Sequence, residues 1–178
     1  MTARERSRIQ TRERVVRAAR ELFLAQGFSG TTVRDIADRA GVSVGSVMVV
    51  GDKNALLVEV FDTLIAAEHD AVAVPTGETP ARRALDLVRP FIRIFTTHSD
   101  LSRTYAATLV SGGHAAGVFA ELARRLIDEF VAAGATPGQA RAMHAAYLGV
   151  LFIGAGRGAD HKALERELTT VFDAIGGA

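Results

Sequence analysis

Cationic side chains able to bind an anionic partner are concentrated near the N-terminus of this 178-residue chain. Residues 1–53 contain ten arginines or lysines and six acidic residues, whereas residues 54–178 contain eleven and fourteen. The two parts therefore carry formal charges of +4 and −3. A basic N-terminal part beside a mildly acidic remainder is the charge distribution expected of a chain that binds phosphates through its N-terminal residues.

Residue types that support catalysis or metal binding lack the spacing that such sites need. The chain has no cysteine, which excludes thiolate chemistry, and its five histidines show no pair four residues apart with an acidic partner. Ser111 and His114 are close in sequence without an elbow motif or an orienting acid. The glycine-rich run 154–159 follows a predicted helix, whereas a dinucleotide-binding loop follows a strand. The sequence predicts no enzyme, metal or cofactor.

The elements that position the N-terminal charges are predicted to be helices. Apolar residues recur every three or four positions, and no segment alternates apolar and polar residues, so we expect an all-α fold of about nine helices. Pro90 predicts a kink or an earlier break in the fifth helix. Glycines 112, 113, 134, 156 and 158 are predicted to separate the later helices. The predicted helices span about 8–26, 33–40, 43–50, 53–74, 81–97, 101–110, 116–133, 138–154 and 162–175.

Two short predicted helices, 33–40 and 43–50, follow the basic first helix and are joined by a tight turn. This is the arrangement of a helix-turn-helix, in which the second helix of the pair lies in the major groove of DNA. We therefore predict an N-terminal three-helix helix-turn-helix domain at 1–52 and a C-terminal helical bundle at 53–178. The N-terminus has no apolar signal region and no long apolar stretch follows, which predicts a cytoplasmic protein without a membrane segment.

The first 60 residues also resemble the N-terminal domain of tetracycline-repressor-type (TetR family) regulators. The resemblance implies an all-α homodimer with an N-terminal DNA-binding domain and a C-terminal domain that binds a small molecule and dimerises. The matching residues are Ala19, Phe23, Gly27-Phe28, Thr31 to Ala37, Ala40 to Ser43, Gly45 to Val47, Lys53 and Leu56-Leu57.

Carried over residue by residue, the resemblance implies a set of DNA contacts on the second and third helices and at the start of the fourth. A phosphate is favoured at the start of the fourth helix by the backbone amides there. The implied contacts are Thr32 and Lys53 at phosphates, Ser43, Val44 and Ser46 facing the groove, and Gly45 where the backbone comes close to DNA.

Residues 48–51 depart from the family pattern, because Met48-Val49-Val50 replaces a tyrosine, an aromatic or histidine, and a phenylalanine, and the segment is one residue shorter. One interpretation is that Met48 or Val49 contacts thymine methyl groups, which leaves Ser43 and Ser46 as the polar groups for base edges. The alternative is that Val47, Val49 and Val50 fill the core in place of the missing aromatics. The arginines between positions 4 and 14 are open to two interpretations as well, a DNA-contacting arm or a solvated charged tail.

The predicted function is a ligand-responsive transcriptional regulator, a repressor released from a near-palindromic operator by a largely apolar small molecule. The homodimer is expected to form through the last two helices, 138–154 and 162–175. The alternative is a dimeric ligand-binding or protein-interaction module on the same fold that has lost operator binding. Large side chains of the C-terminal part are the predicted ligand contacts: Phe91, Phe95, Tyr105, Phe119, Met143 and Tyr147.

Overall fold

A computed structural model of the protein describes residues 2–71, 74–111 and 116–177, and these residues form nine helices and no strand. The all-α prediction is therefore confirmed. The helices are α1 (Ala3–Gln26), α2 (Val33–Ala40), α3 (Val44–Val50), α4 (Lys53–Ala71), α5 (Pro80–Thr97), α6 (Ser99–Val110), α7 (Ala116–Ala132), α8 (Pro137–Arg157) and α9 (His161–Gly176).

The two short helices α2 and α3 begin at residues whose side chains satisfy backbone amides. Thr32 Oγ1 accepts a hydrogen bond from the Asp35 amide at 3.1 Å, and Asp35 Oδ2 accepts one from the Thr32 amide at 2.8 Å. Ser43 Oγ accepts from the Ser46 amide at 3.1 Å. Gly41 ends α2 with a φ of 65°, which glycine adopts without strain. Helices of eight and seven residues are too short to be stable alone, so these caps and tertiary packing hold them.

Helix α1 begins at Ala3, five residues before its predicted start. Thr2 and Glu5 form a reciprocal cap, in which the Thr2 amide donates to Glu5 Oε2 at 2.6 Å and the Glu5 amide donates to Thr2 Oγ1 at 3.2 Å. The Thr-x-x-Glu pattern of this cap is visible in the sequence. The arginines at positions 4, 6 and 8 are therefore exposed residues of a helix, and the predicted helix start at about residue 8 was wrong.

Two later boundaries also differ from the predicted ones. Helix α5 continues through Pro90 without a break, and α8 continues through Gly156 to Arg157 before Gly158 ends it with a φ of 69°. The prediction that Gly156 separates helices was wrong, because a helix that is well packed on one side tolerates a glycine in its interior. The predicted stops at Gly112 and Gly113 lie outside the described residues.

The described residues divide into two compact units, and the first combines residues 2–63 with residues 104–111. Within it α1 packs against α2 and α3. The predicted domain boundary after residue 52 stays a prediction. The fully buried side chains of this first unit include Phe23, Ile36, Val47, Phe61 and Tyr105.

The second unit combines residues 64–103 with residues 116–178. In it α9 packs against α5 and α8, and the rings of Phe130 and Phe172 meet edge to face at 5.9 Å between centroids. A Cβ at Gly154 would overlap the Cδ2 atom of Leu164, so a larger residue there would force the Leu164 side chain between α8 and α9 to shift. Among the described residues, no helix combines the length and the apolar character needed to cross a membrane.

Candidate nucleic-acid interface

Helix α3 presents one face to the core of the first unit and the opposite face to solvent. Val47 is 0% exposed, and Val50 on the same side is half-buried. On the other side Val44 is 42%, Met48 50% and Val49 83% exposed. The interpretation that the valines fill the core therefore holds for Val47 and does not hold for Val49. Met48 and Val49 are available to a partner.

Ser43 and Ser46, the two serines predicted to face the DNA groove, are hydrogen-bonded to each other. Ser43 Oγ and Ser46 Oγ lie 2.9 Å apart, and Ser43 Oγ also accepts the Ser46 amide. Ser43 is exposed and Ser46 is half-buried at the edge of α3. Part of the hydrogen-bonding capacity of these hydroxyls is thus used to hold the start of the helix.

Thr32, the predicted phosphate contact of α2, is engaged by its own cap. Its Oγ1 donates a hydrogen bond to Asp35 Oδ2 at 2.8 Å, in addition to accepting the Asp35 amide. Hydrogen bonds from the Thr32 backbone amide and side chain hold the pKa of Asp35 below its ordinary value. A phosphate approaching Thr32 would therefore meet an ionised carboxylate beside it, which weakens the contact that the resemblance implies.

Gly45 lies on the exposed face of α3, and the packing of the chain does not require a glycine at this position. Among the described residues, a Cβ added there would meet the Ser43 hydroxyl oxygen at 3.8 Å, an ordinary contact, and no other atom within 4 Å. Glycine in a helix interior costs about 1 kcal/mol relative to alanine. A glycine that is unfavourable for the helix and unneeded by the fold fits the predicted close approach of DNA to the backbone.

Lys53 has partners inside the first unit, which the sequence did not predict. Its Nζ donates to the carbonyl oxygen of Thr31 at 2.7 Å and lies 4.0 Å from the ring centroid of Phe28. These contacts join the start of α4 to the turn before α2. The role that the structure gives to this ammonium is structural, and the predicted phosphate contact would use the donor capacity that remains.

A basic groove lies between the N-terminal half of α1 and α3, within the first unit. Arg4, Arg8 and Arg12 follow one another at four-residue intervals along α1 and line this groove opposite Val49 and Val50. Its volume is about 640 Å³, and Ser46, Ile9 and one acidic residue, Glu5, also line it. Arg12 forms an ion pair with Glu59 at 2.7 Å. The four-residue spacing of the arginines is readable in the sequence once the helix is known to begin at Ala3.

The predicted ligand contacts do not all lie in the same unit. Phe91 and Phe95 on α5 and Met143 and Tyr147 on α8 are buried in the second unit, where α5 and α8 contact each other. Tyr105 belongs to the first unit. The side chain of Phe119 lies outside what the structure describes.

Burial shifts the pKa values of three polar side chains of the second unit. It lowers the pKa of His98 and of His144 and raises the pKa of Tyr147. The rings of His144 and Tyr147 lie one turn apart on α8 with centroids 6.4 Å apart. Neutral, desolvated groups of this kind are suited to a few polar contacts within a largely apolar ligand site.

Tyr105 forms a buried cluster with two residues of α4. Its hydroxyl donates to Asp62 Oδ1 at 2.9 Å, and its ring stacks on Phe61 with centroids 4.7 Å apart. Burial raises the pKa of Asp62, the hydrogen bond from Tyr105 lowers it, and the charge of Glu59 raises it. Sequence reasoning did not predict Asp62, since nothing in the sequence relates two residues 43 positions apart.

The comparisons with known proteins agree with the helix-turn-helix geometry. The model of the family described as "Bacterial regulatory proteins, tetR family" matches residues 15–50. No curated protein matches the chain.

Solved structures of similar fold cover nearly the whole chain. A TetR transcriptional regulator from Rhodococcus sp. RHA1 is 18% identical, with 95% of this chain and 97% of that one covered at a TM-score of 0.72. SCO7222, a TetR from Streptomyces coelicolor, is 19% identical over 93% and 97%, with a TM-score of 0.73. The repressor FadR from Thermus thermophilus, solved with lauroyl-CoA, is 24% identical over 92% of each chain, with a TM-score of 0.72.

At such identities the structural likeness establishes the fold, and the family-model match is confined to residues 15–50. This segment spans the second half of α1 and all of α2 and α3. Residues 15–50 thus match the family model of tetR-type bacterial regulatory proteins, and the described residues have the fold of solved TetR regulators.

Proposed function

We propose that the protein is a ligand-responsive repressor that binds a near-palindromic operator as a homodimer and is released by a small molecule. The observation that carries this proposal is the solvent-facing side of α3, with Val49 83% exposed beside the arginines of α1. A dimer would present two such helices about 34 Å apart, one turn of DNA. A ligand that favours another distance between the two α3 helices would release the dimer from the operator.

Binding to DNA from beside its own gene tests the operator part of this proposal. We expect a discrete footprint, and an affinity that falls steeply as salt rises, because the arginines displace counterions from phosphates. Gly45→Ala is expected to leave the fold intact and to weaken binding at least tenfold, since a methyl group would stand where the backbone approaches DNA. Gel shifts over a salt series measure both effects.

Glycine substitution elsewhere supplies the control for this experiment. Gly138→Ala, at the second residue of α8, has no atom within 4 Å of the added Cβ among the described residues, and it is expected to bind DNA like the native chain. Weak, sequence-independent binding at every salt concentration would contradict the repressor proposal.

The exposed side of α8 supports a homodimer. Between residues 142 and 156 the sequence has no Asp, Glu, Lys or Arg. The buried side of this stretch includes Met143, Tyr147 and Leu151, and the exposed side includes Ala145 and Ile153, which is 55% exposed. A helix that is apolar on all sides requires cover on all sides, and small residues allow a second helix to come close. A second copy of the chain would provide that cover.

Ile153→Glu tests the dimer. Two glutamates brought together at a two-fold interface would be desolvated and would repel each other, so we expect a shift from dimer to monomer at micromolar concentration. Analytical ultracentrifugation measures the association state, and Val131→Glu, an exposed valine on α7, is the matched control. A native chain that sediments as a monomer would rule out the proposed dimer.

The proposed effector is largely apolar. Phe91, Phe95, Met143 and Tyr147 supply buried apolar surface from facing helices of the second unit. Among structures of similar fold, FadR was solved with lauroyl-CoA, and EbrR is described as a multidrug binding protein. The genes that neighbour this one would indicate which compounds to test for release of the operator.

The engagement of Lys53 and Thr32 within the chain favours a second candidate, a dimeric ligand-binding or protein-interaction module without operator binding. Both predicted phosphate contacts use hydrogen bonds inside the first unit. This candidate predicts a dimer that binds a ligand and leaves no footprint. The footprint experiment therefore separates the two.

A further inference from the structure

The outward face of α3 is made of methyl and methylene groups. At 100° per residue, positions 44, 45, 48 and 49 fall within about 140° of the helix surface, opposite Val47 and Val50. Val44, Met48 and Val49 are the exposed side chains of this face, and Gly45 exposes backbone between them. None of these side chains contains a hydrogen-bond donor, and the thioether of Met48 is at most a weak acceptor.

The polar groups nearest this face are serines already bonded to each other. Ser46 lies at its edge, and its hydroxyl is 2.9 Å from that of Ser43. Neither serine has the paired donor and acceptor groups with which asparagine, glutamine or arginine reads a base edge. Recognition by bidentate hydrogen bonds is therefore excluded for α3 by its side-chain chemistry.

Cationic groups flank the apolar face on its α1 side. Arg4 and Arg8 are exposed, and they line the groove that Val49 also lines. A partner that fits must present apolar groups next to a row of anions. In the major groove of a DNA duplex, the C5-methyl group of thymine stands beside the phosphates of the backbone. The charge of the first 53 residues, +4, is complementary to such a partner.

We propose that α3 recognises its operator by the C5-methyl groups of thymines, which pack on Val44, Met48 and Val49. This inference rests on the proposed operator binding and specifies what is read there. Phosphate contacts from α1 then supply affinity that does not depend on sequence. Because 5-methylcytosine carries its methyl group at the same position of the major groove, it provides the same contact.

Replacing thymine by deoxyuridine within the footprinted operator tests the inference. Uracil pairs as thymine does and lacks one methyl group, and burial of one such group corresponds to about a fourfold change in affinity. We expect a loss of about that size at each contacted thymine and none at other thymines. Gel shifts with the full-length chain measure it, one substituted position at a time.

Variants of the chain test which side chain contacts which thymine methyl group. In Val49→Ala the loss caused by uracil at the position that Val49 contacts should largely disappear, whereas Val131→Ala should retain it. At the same positions, a C·G pair bearing 5-methylcytosine should bind more tightly than one bearing cytosine, again by about fourfold per methyl group.

Three outcomes are decisive. Position-dependent losses on uracil substitution, coupled to Val49 or Met48, support the inference. A fully uracil-substituted operator that binds as tightly as the thymine operator overturns it and leaves operator binding standing. Absence of any footprint overturns both this inference and the proposed repressor function.

Discussion

Val47→Asn is expected to lower the free energy of unfolding of the first unit by about 3–5 kcal/mol, whereas Val49→Asn should change it by about 0.5 kcal/mol or less. Val47 is fully buried between α3 and its neighbours, so its replacement removes apolar burial and leaves an amide in the core. Val49 lies two residues away on the solvent-facing side of the same helix. Urea titration followed by far-UV circular dichroism measures the difference.

The two valines are matched in residue type, helix and substitution, so the helix propensities cancel. Any difference in stability therefore reports the side of α3 on which each valine lies. Similar losses for both variants would place Val49 in the core and would remove the basis for methyl recognition. A stable Val49→Asn chain with altered operator affinity would place this residue at the interface.

Tyr105→Phe is expected to lower the free energy of unfolding by about 1–3 kcal/mol at neutral pH, because it removes a donor from a buried carboxylate. The change keeps the ring that stacks on Phe61 and deletes the hydroxyl that donates to Asp62 at 2.9 Å. The comparison with Thr104→Val, at a half-buried neighbour, controls for loss of a hydroxyl elsewhere in α6. Equal stabilities of Tyr105→Phe and the native chain would show that Asp62 is satisfied without Tyr105.

Asp62 also makes stability depend on pH. Because burial raises the pKa of Asp62 in the folded chain, the folded state takes up a proton at higher pH than the unfolded state does. The favourable contribution of Asp62 is therefore complete below its unfolded pKa, about 3.9, and is lost as the pH rises through the folded pKa. Asp62→Asn, which keeps an acceptor for Tyr105, should become more stable relative to the native chain across this window. Parallel pH profiles for the two chains would contradict this account.

The sequence was sufficient for the elements whose signals are local. Thr32 and Ser43 as caps and Gly41 as a stop defined α2 and α3, because capping bonds join residues three positions apart. The early start of α1 was missed since its first turns lack apolar periodicity, although Thr2 and Glu5 carry the pattern of its cap. The helix end predicted at Gly156 was wrong because the sequence does not distinguish a glycine inside a helix from a glycine that ends one.

The site was less predictable because its contacts join distant parts of the chain. Burial separates Val47 from Val49, two valines of the same helical turn that residue type alone does not distinguish. Lys53 meets the carbonyl of Thr31, 22 residues earlier, and Tyr105 meets Asp62, 43 residues earlier. A periodic tyrosine is equally consistent with a ligand contact and with a bonded core residue, and tertiary packing alone decides between them.

Residues 104–111 are part of the first unit, so this unit is not encoded by one continuous segment of the gene. A hybrid regulator that took only residues 1–63 from this protein would separate Phe61 and Asp62 from Tyr105, the residue that stacks on one and binds the other. An exchange of operator specificity between relatives by grafting would therefore have to move both segments together. A hybrid that keeps residues 64–103 of the other parent needs three crossovers, one after residue 63 and two that flank the segment beginning at residue 104.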